Sequence, residues 1–357
     1  MHKEKKRKIK LSKKVKILIV VSLLIIIGVL TFVLLNQDKD KKETKEKKKE
    51  ITKEEKKIQI VDLSSNSRPY AVMINNNKAV WGYQAGLQDA YITYEMIVEG
   101  GITRMMALFR DKDTARIASV RSSRHYYLDY VLENDAIYAH IGWSPQAQSD
   151  ISTLGIDKIN ADNSSAFTWD SALVGKVAKE HRAYTSIEKL KAAAEKKGYR
   201  LTSDEDLLLT YQADSLDLSN YEGAIPANTV RIPYSSSHLT SYGYDSENKV
   251  YKRYQNNTEH KDYVTGLQYT AKNIITYKVH NYTLNDGYSG GRQGLNNIGS
   301  GEGYYISEGY AIPIIWEKKS RSSQTVYRVK STGEELVVND GNTFIQIQPD
   351  NQTLTIE

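Results

Sequence analysis

The stretch Tyr94–Arg110, YEMIVEGGITRMMALFR, followed by DKDTARIASVRSSR at 111–124, decides how the rest of the chain is read. Two runs of strand-like composition meet at Gly100-Gly101, a dipeptide that reaches positive φ without a Cβ penalty and closes two-residue hairpins. With that turn, Ile97 faces Arg104, Met96 faces Met105 and Glu95 faces Met106. Successive side chains alternate between faces, so Tyr94, Met96, Val98, Met105, Ala107 and Phe109 form one apolar face. Glu95, Glu99 and Arg104 share the other, and the one guanidinium is expected to bridge the two carboxylates.

Beyond the hairpin, Ala115–Val120 is short and β-competent, and Arg121 and Arg124 flank Ser122-Ser123, where a helix is predicted to begin. Guanidinium groups and helix N-termini both attract anions. Glu95, Glu99, Arg104, Arg121 and Arg124 are therefore candidate ligand-binding residues, joined by His140 and Trp143 from the strand pattern AIYAHIGW at 136–143. The same arginines could instead form structural ion pairs with Glu95, Glu99, Asp129 or Asp135.

The chain opens with nine Lys or Arg in residues 1–16, a basic head expected in the cytoplasm, and then an uncharged apolar run from Ile17 to Leu35. At 1.5 Å per residue that run covers about 28 Å, close to a hydrocarbon core, and it predicts a transmembrane helix. No small-x-small cleavage site follows, so a retained signal-anchor is expected, giving a single-pass cell-membrane protein with its C-terminal domains outside. Residues 36–60 read as a charged tether. Residues 1–57 hold 19 Lys or Arg against 8 Asp or Glu, whereas the remainder holds 30 against 35. The basic excess thus belongs to the head and tether, where anionic lipid is its natural partner, and nucleic acid is not expected as a partner of the folded part.

The folded part divides, by pattern, near residues 214–224. Residues 61–215 alternate strands and helices. Ser144-Pro145 starts one helix, Gly155 ends it, Thr185 and Glu188 have capping-box spacing for another, and Gly198 stops that one. Residues 225–357 are rich in Tyr, Val, Ile and Thr between regular turn signals, which argues an antiparallel β domain. The fold class is α+β, a membrane-anchored mixed α/β N-terminal domain with a β-hairpin core followed by a β-rich C-terminal domain.

Chemical motifs are sparse. The chain has no cysteine, which excludes disulfides, a thiol nucleophile and a Cys-acylated lipid anchor. Its seven histidines show no paired ligand spacing, and neither metal nor cofactor is expected. Gly299-Ser-Gly-Glu-Gly303 lacks a nucleotide fingerprint and leads into a strand, which favours a turn or bulge. Ser144 is not in a nucleophile-elbow setting. Catalytic residues stay unassigned, with Glu95, Glu99 and Asp135 as the carboxylates available to an alternative glycan-modifying enzyme.

Arg68-Pro-Tyr-Ala-Val-Met-Ile-Asn, Gly86-Leu-Gln-Asp-Ala, Tyr94-Glu-Met-Ile-Val-Glu-Gly-Gly-Ile-Thr-Arg, Val120-Arg-Ser-Ser-Arg and Asp135-Ala-Ile-Tyr-Ala-His-Ile-Gly resemble the N-terminal domain of the YerB-like family. Gly299-Ser-Gly-Glu-Gly-Tyr, Trp316 and Gly341-Asn-Thr-Phe-Ile-Gln-Ile are similar to its second domain. The resemblance spans roughly residues 65–350 and implies a two-domain extracytoplasmic protein of a Gram-positive envelope lipoprotein family of unknown function. It supplies no catalytic residues. The expected function is a non-catalytic binding or assembly factor whose partner is a cell-wall polymer or an envelope protein.

Overall fold

The computed structural model of the chain describes residues 57–161 and 165–357, with Lys13, Gly28 and Thr31 ahead of them. The predicted span at 17–35 otherwise lies outside the described residues. Three early strands, β1 (Tyr70–Asn75), β2 (Ile92–Ile97) and β3 (Thr103–Phe109), are buried at every position. Such near-continuous burial marks strands covered on both faces.

Around them the chain adds β4 (Ile137–His140), β5 (Lys158–Asn160) and β6 (Ile225–Pro226). A meander follows in β7 (Thr229–Ser235), β8 (His238–Asp245) and β9 (Val250–Gln255). Last come β10 (Asn273–Val279), β11 (Gly299–Ser307), β12 (Tyr310–Lys318), β13 (Val326–Val329) and β14 (Thr343–Pro349). Eleven of these strands form one mixed sheet in the order β6–β12–β11–β10–β14–β2–β3–β1–β4–β5, with β13 also on β12. Strand β14 lies parallel between β10 and β2, so the C-terminal half completes the sheet begun by the N-terminal half. The parallel pairs β10–β14 and β14–β2 depart from the expected antiparallel pattern of the second half. Strands β7–β9 belong to a second, six-stranded antiparallel sheet.

Helices are few. Helix α1 (Leu128–Glu133) follows a 3-10 turn at His125–Tyr127 and does not start at Ser123, whose backbone N–H is bonded to the Gly142 carbonyl at 3.0 Å. Helix α2 (Pro145–Thr153) has the expected Ser144 cap, which accepts from Ala147 N–H at 3.3 Å. Helix α3 (Ile187–Lys196) is capped by Ser186, one residue beyond the expected Thr185, because Thr185 is occupied with the Ala166 carbonyl. The glycine run at 299–303 is neither turn nor bulge but the start of β11, and a Cβ on Gly303 would strike the Thr276 carbonyl of the neighbouring strand.

The β2–β3 register differs from the expected one by one residue. Val98 N–H donates to the Ile102 carbonyl at 2.7 Å, which closes a three-residue loop, Glu99-Gly100-Gly101, where a two-residue turn was expected. Ile97 now pairs with Thr103, Met96 with Arg104 and Glu95 with Met105. Because the side-chain period is two, the slip moves Arg104 to the opposite face from Glu95. One face carries Tyr94, Met96, Arg104 and Met106 against Tyr126–Glu133, with hydrogen bonds from Tyr94 to Glu133 (2.6 Å) and from Tyr127 to the Arg104 carbonyl (2.7 Å). The other presents Glu95 and Thr103 to the second sheet.

Candidate anion-binding site

Strands β1 and β4 pair in parallel only over Tyr70–Val72 and Ile137–Ala139. Past that point they diverge, and the extended segment 119–123 wedges between their C-terminal ends. Arg121 N–H donates to the Met73 carbonyl (2.9 Å), and Ile141 N–H donates to the Arg121 carbonyl (3.0 Å). The crevice at the carboxyl ends of parallel strands is where open α/β sheets bind ligands. Here it gathers three arginines. Arg104 comes from the start of β3, paired with Asn75 at the end of β1, and Arg121 and Arg124 come from the wedge.

These side chains are held chiefly through carbonyl oxygens. Arg104 Nη1 donates to the Ser122 carbonyl (2.7 Å), Arg121 Nη1 to the Glu180 carbonyl (3.1 Å) and Arg124 Nη1 to the Ser123 carbonyl (2.7 Å). Glu99 is the shared carboxylate, 2.5 Å from Arg124 and 4.0 Å from Arg104. Burial, then the nearby Arg124 charge, push Arg104 down to about 10 despite Glu99. Burial also lowers Arg121, with Arg124 adding to the effect and Glu180 opposing it. Burial raises the Glu99 carboxyl, but the Arg124 and Arg104 guanidiniums outweigh it and leave it below the usual range. Three cations thus meet one half-buried carboxylate and one exposed carboxylate, Glu180. Asn75 and His181 adjoin, with Asn75 Nδ2 2.7 Å from His181 Nδ1, and burial followed by Arg121 lowers His181.

His140 ends β4, and Trp143 pairs with Ser123 of the wedge. His140 Nδ1 is 2.9 Å from the Gly142 carbonyl, and the imidazole packs on Tyr138 and Trp143. Lys158 Nζ sits 4.2 Å above the Trp143 ring. The structure therefore brings Glu99, Arg104, Arg121, Arg124, His140 and Trp143 to one end of the sheet. It excludes Glu95 from that group. No helix starts at Ser123, so the expected helix N-terminus is absent from this group.

Glu95 occupies a different polar cluster, between the two sheets, that the sequence reading missed. Arg253 Nη2 donates to Glu95 Oε2 at 2.6 Å, and both side chains are fully buried. Thr103 (2.7 Å), Asn76 (3.0 Å) and Thr240 (3.0 Å) donate to Glu95 Oε1. Arg253 Nη1 also meets His260 Nδ1 at 2.5 Å, and His260 Nε2 meets Gln84 Oε1 at 2.5 Å. A guanidinium can only donate, so Nδ1 accepts, the proton resides on Nε2, and His260 is neutral. That agrees with a pKa held well below the ordinary value by burial and by Arg253. Gln84 closes the ring by donating to Asn76 Oδ1 at 3.2 Å. Burial disfavours the Glu95 carboxylate, yet Arg253 and the bonds from His238 and Thr103 hold its carboxyl far below the usual range. Of this ring the sequence singled out Glu95 alone, since its partners come from segments far away in the chain.

The third carboxylate of the alternative enzyme, Asp135, precedes β4 and pairs with Arg200 (2.7 Å) and Arg68 (3.4 Å). Burial raises it, but Arg200, Ser203 and Arg68 lower it on balance. Glu95, Glu99 and Asp135 form no pair. Among the described residues no group of three or more His, Asp or Glu could hold a metal ion.

Fold and site together describe a strand-rich, two-domain protein with few helices. The chain belongs to the DUF3048 family of proteins of unknown function, whose N-terminal domain matches residues 58–200 and whose C-terminal domain matches residues 230–345. It is similar to the protein named "Putative lipoprotein YerB" of Bacillus subtilis (strain 168), at 29% identity over 296 residues, covering 81% of this chain and 83% of the relative. The crystal structure of YerB from Bacillus subtilis superposes with a TM-score of 0.70 at 28% identity, covering 84% of this chain and 98% of that one.

These findings correct the expected anchorage. The relative is named as a lipoprotein, a protein held by lipid, which conflicts with the single-pass, signal-anchor topology and with the cell-membrane localisation built on it. Among the described residues no helix is long and apolar enough to cross a membrane.

Proposed function

We propose that this protein is a non-catalytic envelope factor that holds an anionic cell-wall polymer at the Arg104–Arg121–Arg124 cluster. The observation that carries the reading is the convergence of three guanidiniums around Glu99, with an exposed Glu180 beside Arg121, where burial first and the neighbouring cations next lower Arg104 and Arg121. A phosphate or carboxylate entering the crevice would supply the missing counter-charge, and planar guanidinium forks match both groups bidentately. The lipoprotein name of the relative supports a place in the envelope. A wall-modifying enzyme has less support, since Glu95 and Glu99 lie on separate sides of the sheet and the carboxyls of Glu95, Glu99 and Asp135 are all lowered, where a general acid needs one raised.

The test is co-sedimentation of the full-length protein with isolated Gram-positive walls, before and after chemical removal of their phosphate-bearing polymers. Retention should depend on those polymers, weaken with salt, and fall at least tenfold in Arg121→Gln/Arg124→Gln with little change in melting temperature. Equal retention of the variant, or of stripped walls, would overturn the reading. So would release of soluble wall fragments that disappears in Glu99→Gln.

A further inference from the structure

A cleft that shares no residue with the arginine cluster lies along the segment Ser203–Tyr211, facing β13. Its volume is about 560 Å³, and it adjoins a second cavity of about 580 Å³ through the shared residues Asp204, Glu205 and Gln324. Volumes of this size suit a bound ligand segment. Apolar side chains, Leu207, Leu208, Tyr211, Val326, Tyr327 and Leu336, line it together with polar groups, and Leu63, also in the lining, is 61% exposed.

The charge of the lining has one sign once existing pairs are removed. Arg110, in the first cavity, donates to the Ser65 carbonyl and lies 3.4 Å from Asp111. Arg200, in the second, is bound to Asp135 at 2.7 Å. Glu133 is neutralised by Lys318 at 2.8 Å, and Glu335 faces Arg328 at 3.4 Å. Asp204, Glu205 and Asp206 remain, consecutive, exposed and outside every ion pair among the described residues. Gln324 Nε2 donates to the Asp206 carbonyl at 2.8 Å and ties this acidic segment to the wall that carries β13.

We propose that this two-part cleft docks an extended, basic segment of a partner polypeptide. Three unpaired carboxylates select lysine or arginine, and the half-buried leucines of the lining select apolar side chains between them. An extended chain sends alternate side chains to opposite sides at about 3.3 Å per residue, so an alternating basic–apolar sequence satisfies carboxylates and leucines together. Two joined cavities suit an elongated occupant better than a compact one. This site is independent of the proposed anion site and would give the protein a polypeptide partner in addition to a polymer.

Fluorescence anisotropy of the full-length protein with labelled decapeptides tests the proposal, using alternating Lys-Leu, Lys-Ser and Glu-Leu sequences. The Lys-Leu peptide should bind saturably and at least tenfold more tightly than either control. Asp204→Asn/Glu205→Gln/Asp206→Asn should weaken it at least tenfold with the melting temperature retained, since these residues are exposed, and Arg121→Gln should leave it unchanged. Leu208→Ser should also weaken it; if that variant is unfolded, the triple variant decides. Equal affinity for Lys-Leu and Lys-Ser would reduce the site to surface charge and overturn the proposal. Failure of Lys-Leu to saturate, or indifference to the triple substitution, would overturn it as well.

Discussion

Replacing Arg253 by methionine keeps much of the aliphatic stem but leaves Glu95 buried without its cation. Both side chains are fully shielded from solvent, so the loss is not softened by water. Removing one partner of a buried, hydrogen-bonded ion pair costs about 3–5 kcal/mol. For a folded unit of this size, at roughly 2 °C per kcal/mol, the melting temperature should drop by about 6–10 °C at pH 7. The pH dependence carries a second, sharper expectation. In the wild type the Glu95 carboxyl is lower than in the unfolded chain, so its stabilisation is complete above an unfolded value of about 4.3 and is lost as pH falls below it. In the variant the cation is gone and burial dominates, so the folded carboxyl is raised, and the group destabilises the fold at neutral pH until acid protonates it. The gap between wild type and variant should therefore narrow from pH 7 to pH 4. Urea unfolding at both pH values measures it, and adding Glu95→Gln to Arg253→Met should recover part of the loss. A variant as stable as wild type at pH 7, or a gap that stays constant on acidification, would refute the account of the ring.

Arg104→Met should change stability by no more than about 1 kcal/mol, because the lost bond to the Ser122 carbonyl is offset by relief from Arg124, while wall retention falls at least tenfold; melting and co-sedimentation of the same variant check both. Gly100→Ala and Gly101→Ala both place alanine at φ +70°, costing about 1 kcal/mol each. Gly101→Ala should cost more, since its Cβ would lie 2.9 Å from Ser235 Oγ whereas Gly100 faces open space, and chemical unfolding should rank them in that order. Ser144→Ala should lose about 1 kcal/mol by uncapping α2, again read by chemical unfolding.

Local signals in the chain were legible wherever one residue settles a backbone choice. Ser144-Pro145 starts α2 and Gly198, at φ +69°, follows the end of α3. The hairpin itself was legible, but its expected register set Arg104 between Glu95 and Glu99 and not beside Arg124. What sequence could not give was the turn length. Gly100-Gly101 suits a two-residue turn and also the last two positions of a three-residue loop, and only the tertiary contact of Gly101 with Ser235, whose Oγ donates to the Gly101 carbonyl at 2.6 Å, distinguishes them. That single residue has large consequences because side chains alternate. It separates Arg104 from Glu95, sends the arginine to the helix-covered face beside Glu99 and Arg124, and leaves Glu95 facing strands more than a hundred residues away. A pattern with charges on one face reads as half-exposed when the covering sheet is distant in sequence. Here the covering sheet brings its own cation, Arg253, and the charged face becomes interior. The same reasoning separates the two polar clusters in their charge balance. Glu95 is held by Arg253 and by a closed ring of neighbours, which suits holding two sheets in register, whereas the arginines around Glu99 outnumber the carboxylates that meet them.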